Sequence, residues 1–137
     1  MQIDPAIAIH MSAALLATAI GPVALWARQR GTPLPRLHRG VGYAWVTLMV
    51  LTAVSAVFIR NGPLALLGGF SPIHLLIPYT LAMLVLAFRM LSSGNITGHR
   101  KTMRNLYLGA CLVAGLLTLS PERLLGQLVW RQWLGLL

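Results

Sequence analysis

The sequence predicts an all-α integral membrane protein of four transmembrane helices, arranged as two parallel-repeat hairpins and followed by a C-terminal interfacial helix. Three observations carry that prediction. The 137 residues are 57% hydrophobic and only 9% charged, with a mean hydropathy of +0.75, the balance of a chain dissolved in lipid. Four apolar stretches, 5–27, 40–59, 71–91 and 103–120, each approach the roughly 20 residues a helix needs to cross a ~30 Å hydrocarbon layer. None of the four alternates as a barrel strand does, and within lipid a helix satisfies its own backbone hydrogen bonds. The whole chain therefore reads as a single transmembrane domain, 1–137.

Each element has local support. The first stretch opens on Asp4 with no basic residue before it, whereas a signal peptide begins with positive charge, so it is expected to be retained. Thr32 followed by Pro33 places a cap and an N-terminal proline at the start of helix two, ahead of His38. Asn61-Gly62-Pro63 and Gly68-Gly69 form a loop, Ser71-Pro72 opens helix three, and Asn95 to Gly98 leads into helix four at His99. Pro22 and Pro78 fall inside helices one and three and are expected to bend them. Helix four carries Ala110 and Ala114, and Cys111 and Gly115, at a spacing that lets helix backbones approach closely in lipid. Cys111 is the only cysteine, which excludes a disulfide within the chain and a CxxCH haem attachment; a packed small residue is the expected role. The tail 124–137 sets Trp130, Arg131 and Trp133 among leucines, too short to span and suited to the interface or to contact with another subunit.

Orientation follows from the basic residues. Arg28, Arg30, Arg36 and Arg39 follow the first stretch, and Arg89, Arg100, Lys101 and Arg104 surround the loop after the third. Short loops rich in Lys and Arg stay on the cytoplasmic side, so both termini of this multi-pass chain should face outward. Both acids, Asp4 and Glu122, fall on that outer side. The net charge of +9 then reports topology and attraction to anionic membrane lipids, and nucleic acid is not expected as a partner.

Four histidines supply the chemistry. His10 and His74 sit near the starts of the first and third stretches, and His38 and His99 lie just ahead of the second and fourth. The chain thus repeats the order histidine, span, loop, His-Arg, span, which is a parallel repeat with His10 matched to His74 and His38 to His99. The two levels would lie about 20 to 30 Å apart at about 1.5 Å per helical residue. No acid or lysine falls within a span, and no hydrolytic or phosphate-binding motif appears, which argues against proton relays, ion-coupled transport and hydrolysis. Haem b is the cofactor that paired histidines on facing helices can hold without a linear motif. His10/His74 would ligate the iron of an outer haem and His38/His99 that of an inner one, with Arg39 and Arg100 flanking the inner propionates. Ala13, Ala14, Ala17 and Gly21 would leave space beside His10 for a flat ring, as Gly42 would beside His38. The function expected is electron transfer in or across the membrane. Two rivals remain open: a cofactor-free accessory or structural subunit of a larger membrane complex, and a protein that binds quinone or lipid at its His-Arg sites.

The phrases LHRGVGYAWVTLMVLTAVSAVFIR, GGFSPIHLLIPYTL and GNITGHRKTMRNLYLGACLVAGLLTLSPERLLG carry HRxxGxxW, FSPIHLL and HRxxMxxLYxG. In these the chain resembles the short bacterial predicted membrane protein family catalogued as domain of unknown function 2306, over nearly its whole length after about residue 8. The resemblance implies four spans and a bacterial inner membrane. In architecture the arrangement is also similar to four-helix di-haem cytochromes of the b561 kind.

Overall fold

The computed structural model describes residues 4–28, 34–60 and 66–136, and all regular structure among them is helical. Helix α1 (Pro5–Trp26) starts at Asp4, whose side chain accepts the Ala6 N–H at 2.8 Å, with proline at the first helical position, where a missing N–H costs nothing. Helix α2 (Pro35–Ala56) also opens on proline. The Thr32-Pro33 start and the Asn61-Gly62-Pro63 loop lie outside the described residues. Gly68 and Gly69 turn the chain with φ of 69° and 80°, the left-handed region that glycine enters without strain. A single 3₁₀ turn, Pro72–Leu75, then leads into α3 (Leu76–Ser92). The Asn95 side chain caps α4 (Ile96–Leu106) by accepting the Gly98 N–H at 2.8 Å. Both α1 and α3 pass through their prolines, Pro22 and Pro78, without interruption.

Among the described residues, three helices are long and apolar enough to cross a membrane: Pro5–Trp26, Pro35–Ala56 and Pro72–Ser92. The fourth element differs from its expected bounds. Because Asn95 caps it early, the helix starts well before the apolar stretch at Met103 and includes Arg100, Lys101 and Arg104 in its first turns. It then widens into a π-helical segment, Tyr107–Val113, and finishes as α5 (Ala114–Thr118). Large apolar side chains face outward along these helices, with Leu15 and Leu16 each 54% exposed, Phe58 71% and Leu116 70%. An outer surface of this kind is lipid-facing.

The helices pair antiparallel. His10 near the start of α1 bonds Thr52 late in α2, and His38 near the start of α2 bonds Ala24 late in α1. Likewise His99 of α4 bonds Ala87 of α3, while α2 touches α3 and α1 touches the π segment. Lipid tails are as apolar as leucine, so close packing must hold these helices together. The buried face of α1 is a stripe of small residues, Ala13, Ala17, Gly21 and Ala24. Onto it pack Trp45 and Met49 of α2 and Leu106, Tyr107 and Cys111 of the fourth element. A Cβ on Gly21 would run into the Tyr107 ring and stand 3.0 Å from Trp45 Nε1. Here close approach requires glycine. Cys111 is packed as expected, its thiol 3.7 Å from the Met49 sulfur. Gly115 is not a helix contact: a Cβ there meets nothing within 4 Å, because the π segment ahead of it changes which residues face inward.

The tail folds back. Helix α6 (Leu124–Gln127) and a π turn, Leu128–Trp133, return Trp130 so that its Nε1–H donates to the Leu119 carbonyl at 2.8 Å. Gly126 lies against the Ser120 backbone, while Trp133 stays 86% exposed.

Candidate functional site

A cavity of about 870 Å³ opens at the end of the molecule where the chain turns from α1 to α2 and from α3 to α4. That is a size typical of cofactor and small-molecule sites, which run from about 300 to 1,000 Å³. Gly21, Trp45 and Tyr107 form its floor, the Tyr107 hydroxyl donating to the Thr18 carbonyl at 3.0 Å. Arg28, Arg39, Arg100, Lys101 and Arg104 line it with positive charge, and no acidic residue does so. Asp4 starts α1 and Glu122 follows α5, so both acids belong to the opposite end.

His38 and His99 line this cavity together from α2 and α4. Each is held in the same way: Nδ1 of His38 lies 2.8 Å from the Ala24 carbonyl, and Nδ1 of His99 lies 2.9 Å from the Ala87 carbonyl. A carbonyl can only accept, so Nδ1 carries the proton in both rings, and in a neutral imidazole the lone pair then resides on Nε2. Neither Nε2 makes a hydrogen bond among the described residues. Such a bond fixes the orientation of the ring and leaves Nε2 available to accept a hydrogen bond or to bind a ligand. One turn beyond His38, Gly42 lines the cavity with a bare helix backbone, and an added Cβ would meet nothing within 4 Å. Glycine inside a helix costs about 1 kcal/mol relative to alanine, and no neighbouring protein atom requires it here. Trp45 adds a buried Nε1–H that has no partner among the described residues.

The other pair is arranged differently. His74 donates Nε2–H to the Ile59 carbonyl at 2.8 Å, which leaves its lone pair on Nδ1. That lone pair faces the Ser71 N–H at 3.1 Å in a reciprocal capping box. Both nitrogens are engaged in tying the end of α2 to the start of α3, with Phe70 edge-on to the ring and Arg60 over Phe70. In this geometry the one lone pair of His74 is taken up by the Ser71 N–H. His10 Nδ1 bonds the Thr52 carbonyl at 2.9 Å, beside Ser55 Oγ at 3.3 Å. Of the small residues beyond it, Ala13, Ala17 and Gly21 are buried in the packing of α1 against its neighbours. The groove near this end is lined by Ala8, Ile9, Ser12, Ala13, Leu16, Leu48 and Leu51, and neither His10 nor His74 belongs to it.

Of the expected site residues, the structure brings His38, His99, Arg39 and Arg100 together around one cavity and sets His10 and His74 apart from it. Arg28, Lys101 and Arg104 were missing from the expected set. Their signal was present as spacing: once helix four begins at Ile96, Arg100 and Arg104 fall one turn apart on it, as do His99, Met103 and Tyr107 in succession. Among the described residues no group of three or more His, Cys, Asp or Glu could hold a bare metal ion.

The model of the predicted membrane protein family, domain of unknown function 2306, matches residues 7–130. The chain belongs to this family. No curated protein and no solved structure matches it.

Proposed function

We propose that this is a membrane electron-transfer protein that holds one b-type haem in the cavity between His38 and His99. The observation that carries the reading is the pair of histidines on one cavity, each with Nδ1–H fixed on a backbone carbonyl and Nε2 left with its lone pair. Two such imidazoles are the donor set of a six-coordinate haem, which supplies one-electron chemistry when bound. The Ala24 and Ala87 carbonyls orient the rings and raise the basicity of the ligating nitrogens. Gly42 leaves the α2 backbone bare for a flat face, Phe88 and Val46 supply apolar wall, and Arg39 and Arg100 add positive charge that would favour a ligand bearing carboxylates.

In this reading the chain crosses a bacterial inner membrane four times, as two hairpins related by a parallel repeat, with the cavity on the cytoplasmic side and both termini in the periplasm. Support comes from the matching bonds from His38 to Ala24 and from His99 to Ala87, and from the basic residues gathered at that end. The tail, with exposed Trp133, lies in the outer interface. A second haem at His10 and His74 is not part of the proposal, because His74 is committed to Ser71 and Ile59.

The test is the visible spectrum of the full chain purified from cells supplied with excess haem. After dithionite it should show the sharp bands of bis-histidine haem b. His38→Ala and His99→Ala should each remove the same component, while His10→Ala retains it. A colourless preparation refutes the proposal.

A further inference from the structure

Arg104 stands out among the cavity cations by depth. The His99 ring reaches the Ala87 carbonyl, five residues inside the end of α3 at Ser92. Arg104 lies five residues further along α4, about 7 Å deeper at about 1.5 Å per residue. It nevertheless lines the cavity. An arginine at such a depth in lipid normally faces a partner of opposite charge or a functional site. No acid lines the cavity, and Asp4 and Glu122 are both at the far end of the helices. Arg104 is an exposed side chain lining this acid-free cavity, so it is placed to meet a negative charge carried by a ligand.

Arg100 provides the second half of the argument. It lies one turn before Arg104 on the same helix and also lines the cavity, so α4 presents two guanidinium groups at two depths behind the His99 ring. Its Nη2 reaches the Arg28 carbonyl at 3.3 Å, which ties this face of α4 to the end of α1. A guanidinium binds a carboxylate through two parallel N–H bonds, a geometry that an ammonium cannot reproduce.

We infer that Arg104 is a specificity residue of the cavity: with Arg100 it holds two carboxylates at two depths along α4, and so selects a dicarboxylate tetrapyrrole over a neutral one of the same shape. This rests on the haem reading above. Arg104 would hold the deeper carboxylate and Arg100 the shallower one, on the same face of α4.

The experiment titrates haem-free full chain in detergent with ferric haem b and, separately, with its dimethyl ester, in which both carboxylates are capped while ring and iron are unchanged. Binding is followed by the shift of the visible spectrum. Arg104→Gln should weaken haem binding about tenfold or more, the loss expected for one charge-assisted pair, and leave ester binding within about twofold. Arg104→Lys should fall between. Equal weakening toward haem and ester overturns the inference by showing a structural role. No effect on either overturns it by showing that the side chain reaches to lipid phosphate instead. If the wild-type chain binds neither compound, the haem reading itself fails, an outcome recognisable before any variant is made.

Discussion

Gly21 and Gly42 undergo the same chemical change to alanine with opposite expected signs. At Gly21 the new methyl group meets the Tyr107 ring and approaches Trp45 Nε1 to 3.0 Å. Overpacking of this kind costs about 1–3 kcal/mol. If the ring moves aside, the bond from the Tyr107 hydroxyl to the Thr18 carbonyl is lost as well, a further ~0.5–1.5 kcal/mol. Against this stands a gain of about 1 kcal/mol from replacing glycine inside a helix. Steric conflict wins, and Gly21→Ala should lower stability by about 1–3 kcal/mol. At Gly42 nothing lies within 4 Å of the new Cβ, so only the helix gain remains and Gly42→Ala should raise stability by up to about 1 kcal/mol. Reversible unfolding of the haem-free chain in mixed micelles, followed by far-ultraviolet circular dichroism, reads both. A stabilised Gly21→Ala, or equal effects at the two sites, would refute the packing described for the cavity floor.

His74→Ala should lower stability by about 1–3 kcal/mol, because the Ile59 carbonyl and the Ser71 N–H lose their partner, without changing the visible spectrum of haem-loaded protein. Loss of a spectral component would return His74 to the list of ligands. Cys111→Leu should destabilise by about 1–3 kcal/mol through its contact with Met49, whereas Gly115→Leu should stay within about 0.5 kcal/mol in detergent. Comparable losses at both positions would mean that a partner covers Gly115. Topology reporters should behave as cytoplasmic when inserted at Ser93 and as periplasmic when fused after Leu136; the reverse would place the cavity on the other face.

The helices were legible because lipid imposes a length and a composition on each span, and Ser71 and Asn95 marked starts by local signals. Helix four was harder to bound. Its apolar stretch begins at Met103, but the Asn95 cap nucleates the helix earlier, and hydropathy is blind to a polar first turn that faces a cavity. The repeated His-Arg order put His38 and His99 at one end of the helices, where both line one cavity. The divergence of His10 and His74 was not, since it depends on which carbonyl each ring meets: Ile59 and Ser71 turn His74 into a cap, a choice made by the bend between α2 and α3 rather than by any motif. The π segment was equally hidden, because the seat of Tyr107 on Gly21 is a contact between distant parts of the chain.

The bonds of His10 to Thr52 and of His38 to Ala24 both close within the first helix pair, and that of His99 to Ala87 closes within the second. Each pair can therefore lock itself as it leaves the ribosome and enters the bilayer, without waiting for the other. The cavity has no such independence, since His38 comes from the first pair and His99 from the second. An occupant that grips both rings would act as a rivet through the seam that Trp45, Met49, Tyr107 and Cys111 already close between the two pairs. Coexpressed fragments 1–60 and 66–137 should then hold together more firmly when that occupant is plentiful than when it is scarce.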